Sequence, residues 1–383
     1  MTHKFMLTLL LMGALSAGAC ETSKDAAKPD SDAATVSQKQ TATPDPPAPA
    51  EVAAEDPNQE ALLLGIWRGF NVDSPASWIR DDTPAKPSTP SRPGAFAETL
   101  LIDKSGVSRL GPGIAFQQEE GWWKVSLRED ANPGKNGPTI VQTLFAGPKG
   151  AEISAHEFDS HPTPCTEWSG DDALFVGADL VSMINVFSGD CPEAYYTYIY
   201  YGLASIHPNS GTNRLYGGSR TLEDALGAQA WQSMKKAGAR VVAQESDCRA
   251  DPDPRSWSIQ RQKGAWVLKG WIDSTGDDCR HAQTDFEVPF ELPEALTGAT
   301  PLPMTWAEIE QAFPEAIDAV ASPSGRILVV QTREELIVLV EGAEVARYDD
   351  KEKGRQSRIV MTRWAKGSAQ VADWRAQASD VLE

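Results

Sequence analysis

Leu62-Leu63-Leu64-Gly65-Ile66-Trp67-Arg68-Gly69-Phe70 is the stretch whose reading decides the fold class. Its apolar residues are consecutive rather than spaced three and four apart, and the run is short. That pattern reads as a buried β-strand interrupted by glycines rather than as one stripe of a helix. Folding therefore begins near Glu60, and most of the remaining chain repeats the theme of short strands between turn signals. Thr99–Ile102 and Val107–Leu110 flank Asp103-Lys104-Ser105-Gly106, which predicts a hairpin. Trp122–Leu127, Thr139–Phe145 and Glu152–His156 come next, with Asn132-Pro133-Gly134 and Asn136-Gly137-Pro138 expected as turns. The interval from Asn71 to Glu98 holds Pro75, Pro84, Pro87, Pro90 and Pro93 and is expected to be irregular.

Strands continue at Ala173–Val176, Leu180–Phe187 and Glu193–Ser205. A helix is predicted from Leu222 to about Ala237, with Thr221 and Asp224 near a capping box and Gly238 after the last turn. Leu222, Leu226, Ala230, Trp231 and Met234 form its apolar stripe, so it should pack on a sheet. Ser256–Arg261 and Ala265–Ile272 make another hairpin about Gln262-Lys263-Gly264. After a connector from Pro293 to Pro303, Thr305-Trp306-Ala307-Glu308 is a second capping box, and Pro314 ends that helix. Ile327–Thr332, Leu336–Glu341, Glu344–Tyr348 and Ile359–Trp364 are expected as a four-strand meander closed by a helix from Val371. The class is α+β, predominantly antiparallel β in hairpins and meanders, with a few packed helices. The main β-rich domain spans 58–300, and 301–383 forms a small unit, either separate or part of the same domain.

The first residues have another character. Thr2-His3-Lys4 is a short basic start, Phe5 to Leu15 is apolar, and small residues lead into Cys20. This is the layout of a bacterial secretion signal over 1–19, too short to span a bilayer, which takes ~20 residues. The cysteine after Ala17-Gly18-Ala19 resembles the lipobox of bacterial lipoproteins. The resemblance implies diacylglycerol and palmitate-type acylation of Cys20 as the mature N-terminus, in the periplasm or outer membrane. The usual leucine of that motif is replaced by Ala17, and the same residues fit the A-x-A pattern of soluble export. Residues 20–57 are rich in alanine and proline and carry no aromatic, so they cannot bury enough apolar area to fold. They read as a tether.

The chain has five cysteines. Assigning Cys20 to lipid leaves Cys165, Cys191, Cys248 and Cys279, an even set that suits disulfides in an exported protein. In an antiparallel hairpin the numbers of facing residues have a constant sum. For the hairpin centred at Ala178 the sum is 356, which is also the sum for Cys165 and Cys191. For the hairpin centred between Lys263 and Gly264 it is about 527, which matches Cys248 and Cys279. This placement favours Cys165–Cys191 with Cys248–Cys279, each worth ~3.5 kcal/mol in the chain-entropy model.

The net charge of −19 argues against nucleic acid, whose binding depends on Lys and Arg neutralising phosphates. His156-Glu157-Phe158-Asp159-Ser160-His161 is not H-E-x-x-H, because the second histidine comes one residue late. Asp273-Ser274-Thr275-Gly276-Asp277-Asp278 lacks calcium-loop spacing and reads as an acidic turn. Ser233-Met234-Lys235-Lys236 matches S-x-x-K, but lies late in a helix without its partner motifs. No nucleophile elbow or phosphate loop is present, so neither a catalytic residue, a metal nor a cofactor is assigned. Five of the seven tyrosines lie within Tyr195–Tyr201. On a strand Tyr196, Tyr198 and Tyr200 share one face and offer flat, polar-tipped area to a glycan or peptide. The tryptophans, Trp122-Trp123 and Trp257/Trp266/Trp271 among them, read first as β-core filling.

Two further resemblances extend this reading. Leu64-Gly65-Ile66-Trp67-Arg68-Gly69 resembles the G-x-W first strand of lipocalin-like barrels. Asp172 to Leu226, with its Tyr-rich strand, Asn209-Ser210-Gly211 and Thr221–Leu226, is similar in layout to the lysozyme-sensing anti-sigma-factor domain. That likeness implies protein binding at the cell envelope. The functional expectation is a lipid-anchored envelope module that binds a protein or glycan without catalysis. The alternatives are an envelope hydrolase acting on peptide, glycan or ester bonds and a sensor of envelope state.

Overall fold

The computed structural model describes residues 56–69, 96–118, 121–134, 137–150, 153–154, 166–177, 180–191, 194–205, 221–242, 252–276, 279–298, 300–349 and 356–383. Residues 1–19, Cys20 and most of the stretch 20–57 lie outside them. Ala54–Glu383 is one compact unit. Its first strands are β1 (Glu60–Gly69), β2 (Phe96–Asp103), β3 (Gly106–Pro112) and β4 (Ile114–Gln118). Next come β5 (Gly121–Gly134), β6 (Gly137–Pro148), β7 (Ile153–Ser154), β8 (Thr166–Val176), β9 (Leu180–Cys191) and β10 (Ala194–Ser205). Helices α1 (Leu222–Leu226) and α2 (Ala228–Val242) lead to β11 (Trp257–Gln262), β12 (Ala265–Gly276) and β13 (Cys279–Val288). After α3 (Glu294–Thr297) and α4 (Trp306–Ala312) come β14 (Ala316–Ala321), β15 (Ile327–Thr332), β16 (Glu335–Val340) and β17 (Ala343–Asp349). The chain ends with β18 (Gln356–Lys366) and α5 (Ser368–Leu382).

Pairing is antiparallel except for the short parallel contact of β6 with β8, so the class is predominantly antiparallel β with few helices. The sheet β18-β1-β2-β3 is the middle layer. Every residue from Glu60 to Arg68 is buried, because both faces of β1 are covered. Ala61, Leu63 and Trp67 meet Phe116, Trp123, Val125, Leu144 and Met183 of the sheet β10-β9-β8-β6-β5-β4, together with α5. Leu62, Leu64 and Ile66 point the other way, onto Val320, Val329, Leu336 and Val338 of β14-β15-β16-β17. A strand covered on both faces is a continuous apolar run, which is what the opening stretch contains. The outer face of β14–β17 is closed by Ile309 of α4, with Trp306 and Phe313. Sheet β11-β12-β13 packs with α1, α2, Phe175 and Leu180 around Trp257.

Several expectations need correction. The helix predicted from Leu222 is two helices, because Gly227 adopts φ 87°, open to glycine and strained for other residues. Gly238 lies inside α2 instead of after it; a Cβ there would sit 2.5 Å from Pro252 and 3.2 Å from Phe286. Asn132-Pro133-Gly134 is strand, not turn. Pro133 faces Pro138 in β5–β6, so the two turn signals serve one reversal. Ile114–Gln118 forms a strand that pairs with β5. The expected meander is β14 to β17, while Ile359–Trp364 belongs to β18 and lies beside β1. The last strand of the chain therefore completes the sheet begun by the first.

The constant sums expected from the sequence hold throughout β11–β12 and along the middle of β8–β9. Facing numbers in β8–β9 sum to 357 at Val176↔Val181 and Phe175↔Ser182, to 356 from Ala173↔Met183 through Trp168↔Ser188, and to 355 at Thr166↔Gly189. In β11–β12 they sum to 527 throughout, ending at Gln262↔Ala265. Trp257, Trp266 and Trp271 are buried, and Trp123 is in the main core, as expected of β-core filling.

Candidate functional site

Among the described residues a cluster of buried charge sits at one end of the middle sheet. Arg68 closes β1, opposite Phe96 at the start of β2 and Ser357 near the start of β18. Its guanidinium meets Glu98 Oε1 at 2.5 Å, and both side chains are almost wholly buried. Arg109 of β3 pairs with Oε2 of the same carboxylate at 3.0 Å, and the Tyr348 hydroxyl of β17 donates to that oxygen at 2.9 Å. Arg109 is half exposed. The guanidiniums of Arg68 and Arg109 each stand over the Phe96 ring, 5.2 Å from its centre. Such stacking is worth about 0.5–2 kcal/mol per pair, more as the pair is desolvated.

Three strands place this group by simple alternation. Arg68 follows Trp67 and therefore faces away from it, toward β17 rather than toward the long sheet. On Trp67's side a second buried carboxylate, Asp172 of β8, accepts from Trp67 Nε1 at 2.9 Å. Arg358 approaches Asp172 at 3.8 Å. The connections 70–95 and 350–355, outside the described residues, begin and end at this same end of the sheet.

Chemically, the Glu98 group suits holding charge better than moving protons. Both carboxylate oxygens are already engaged, and two guanidiniums share one carboxylate. Burial, followed by the hydrogen bond to Glu98, pushes the Tyr348 phenol up to about 12, so it stays neutral at ordinary pH. The half-exposed Arg109 leaves one positive group facing outward.

A second buried pair ties two outer sheets together. Arg261 of β11 meets Asp318 of β14 at 2.6 Å and stacks over Trp266, 4.9 Å from its centre. Asp318 also accepts from the Gly264 amide at 2.7 Å. A shallow depression of about 510 Å³ lies over α5 between Gln59, Asp103 and Arg375. Among the described residues no three His, Cys, Asp or Glu side chains group as a metal site would require. No helix among them is long and apolar enough to cross a membrane.

The sequence-derived candidates are scattered over the chain. Cys20, Cys165, Cys248 and the His156–His161 stretch lie outside the described residues. Cys191 is the last residue of β9, facing Ala194. Cys279 opens β13 opposite Gly276, so it stands on the third strand rather than on an extension of the β11–β12 ladder. The β11–β12 register therefore does not by itself join Cys279 to Cys248. Asp273 to Gly276 are the end of β12, not a free acidic turn. Ser233 and Lys236 lie mid-way along α2, where Lys235 stacks over Trp231. Tyr196, Tyr198 and Tyr200 fall on β10, opposite Gly189, Phe187 and Asn185.

The Arg68–Glu98 group escaped the sequence reading. Its one local signal was an arginine inside an apolar run. The fold defines an antiparallel-β-rich α+β protein with this ionic cluster at one end of its middle sheet. No protein-family model, curated protein or solved structure matches the chain.

Proposed function

We propose that this chain is a lipid-anchored protein of the bacterial cell envelope, acting as a non-catalytic binding or structural module for a protein or glycan. Cys20 carries the acyl anchor and the Ala/Pro-rich tether holds the β domain off the membrane. The observation that carries the binding reading is positional. Tyr196, Tyr198 and Tyr200 alternate onto one face of β10, the terminal strand in the order β10-β9-β8-β6-β5-β4, and so form a row at the margin of the sheet. The buried carboxylate Glu98, engaged by Arg68, Arg109 and Tyr348, supports a structural rather than a proton-transfer role for the strongest ionic cluster. Disulfides Cys165–Cys191 and Cys248–Cys279 belong to the same proposal. The first rests on the even set of cysteines left after Cys20; at that end of β8–β9 Thr166 faces Gly189, one residue off the sum of 356.

Two measurements on the mature protein test this reading. Cys20→Ala should move the protein from the membrane fraction to the soluble fraction. Retention on envelope glycan, or on a captured envelope protein, should fall when Tyr196, Tyr198 and Tyr200 are changed to alanine. Cleavage of peptidoglycan, casein or a chromogenic ester, abolished by one Ser, Asp or Glu substitution, would instead identify a hydrolase.

A further inference from the structure

Among the described residues β10 pairs with β9 alone and ends its sheet. The pairing runs from Ala194↔Cys191 to Ser205↔Leu180 without a register shift, so no bulge turns the strand aside. Among the described residues no strand lies along its other edge. β11 touches β8, β9 and β10 in turn, and so crosses the face of the sheet instead of following β10. Natural edge strands are blunted by lysine, proline, bulges or short length. β10 has none of these devices. No Asp, Glu, Lys or Arg occurs between Glu193 and Arg214, in a chain of net charge −19.

The order of residues points to what pairs there. Tyr195-Tyr196-Thr197-Tyr198-Ile199-Tyr200-Tyr201 reads the same from either end, apart from the exchange of two β-branched residues, Thr197 and Ile199. An antiparallel pair of identical strands related by a two-fold axis at Tyr198 sets Tyr195 against the second copy's Tyr201, and Tyr196 against the second copy's Tyr200. Thr197 then faces the second copy's Ile199, and Tyr198 faces itself. Aromatic and β-branched partners are the favourable cross-strand pairs. An unrelated peptide gains nothing from this symmetry, whereas a closed two-fold contact is built on it. Charge points the same way. Two strongly acidic copies repel, so they can meet closely only where the chain is uncharged.

We propose that two copies of this protein join through β10, edge to edge and antiparallel, with the two-fold axis at Tyr198. The two long sheets then become one continuous sheet, and positions 196, 198 and 200 of both copies form a single row on one face. The dimer stands or falls independently of any glycan or protein ligand.

The test uses the mature, acylated full chain in mild detergent, with cysteines introduced singly. Residues on the axis face their own counterparts with Cα atoms ~4.5–5.5 Å apart, within disulfide reach. On mild oxidation Tyr198→Cys should give a covalent dimer. Tyr196→Cys and Tyr200→Cys alone should stay near the background of the unsubstituted protein, and a mixture of the two should cross-link. In sedimentation velocity the unsubstituted protein should be a dimer, and Tyr198→Lys, which sets two like charges face to face, should shift it toward monomer. Equal cross-linking at all positions, linking at a different register, or a monomer at every concentration would overturn the proposal. Unchanged retention of envelope glycan or protein when Tyr196, Tyr198 and Tyr200 are changed to alanine, with the Tyr198→Cys dimer band present, would count against the proposed binding function alone.

Discussion

Trp67 donates its indole Nε1 to Asp172 Oδ1 at 2.9 Å, and both residues are wholly buried. One belongs to the middle sheet and the other to the long sheet, so this bond adds a directional contact between two layers, alongside the Ala115 amide of β4, which donates to the Thr99 hydroxyl of β2 at 2.8 Å. Arg358, directly opposite Trp67 across the β1–β18 ladder, supplies the nearby positive charge.

Trp67→Phe keeps most of the ring and removes the donor. Asp172 then loses a hydrogen-bond partner inside the core, and stability should fall by about 2–4 kcal/mol from the lost bond and the smaller ring together. Urea unfolding followed by tryptophan fluorescence measures this. A loss below about 0.5 kcal/mol would show that the contact does not lock the layers.

Glu98→Gln neutralises a buried carboxylate that Arg68, Arg109 and Tyr348 all engage. Breaking a buried pair from one side should cost about 3–5 kcal/mol. Arg109→Ala removes a half-exposed partner of the same carboxylate and should cost about 1 kcal/mol or less in ion-pair energy. The ranking of the two midpoints in denaturant is the check, and the reverse order would contradict the burial argument.

Gly65 lies at the bulge between β1 and β18. A Cβ there would meet Ile114 at 2.8 Å and Met361 at 2.9 Å. Gly65→Ala should therefore overpack the middle layer and lower stability by about 1–3 kcal/mol, read as a fall in the thermal midpoint.

Tyr348 provides a pH signature. Its phenol is raised from 10.0 to about 12 in the fold. Between those values the unfolded chain gives up the proton while the folded one keeps it, so stability present below pH 10 is lost as pH rises toward 12. Tyr348→Phe should flatten that alkaline decline relative to the unsubstituted protein. It should also remove one late-titrating phenolate from the ultraviolet absorbance titration.

The strands and hairpin registers were readable because they are local. Turn residues mark each reversal, and antiparallel geometry then fixes who faces whom, as at Gln262↔Ala265. The capping box at Thr305 and Glu308 was legible for the same reason and is present in full. What escaped depends on distance along the chain. An apolar strand such as Ile359–Trp364 announces burial but not its neighbour, so its place beside β1 could not be inferred from its own residues. Glu98 lies thirty residues from Arg68 and 250 from Tyr348, with no shared periodicity to connect them. The break at Gly227 was hidden because a glycine between two helical stripes is compatible with a continuous helix until its φ is known.

The neighbouring positions of β1 and β18 constrain how this protein is made. Leu64 faces Thr362, so the first strand of the folded unit lacks one edge partner until residues 356–366 have emerged. Contacts of such long reach slow folding, because the loop between them must be ordered first. During synthesis the apolar stretch Leu62–Trp67 is therefore an open β-edge waiting for its mate, and an open edge of that kind recruits wrong partners. A chain with this topology completes its native core only once β18 has been made. Truncating it before β18 should yield an aggregating product rather than a smaller folded one.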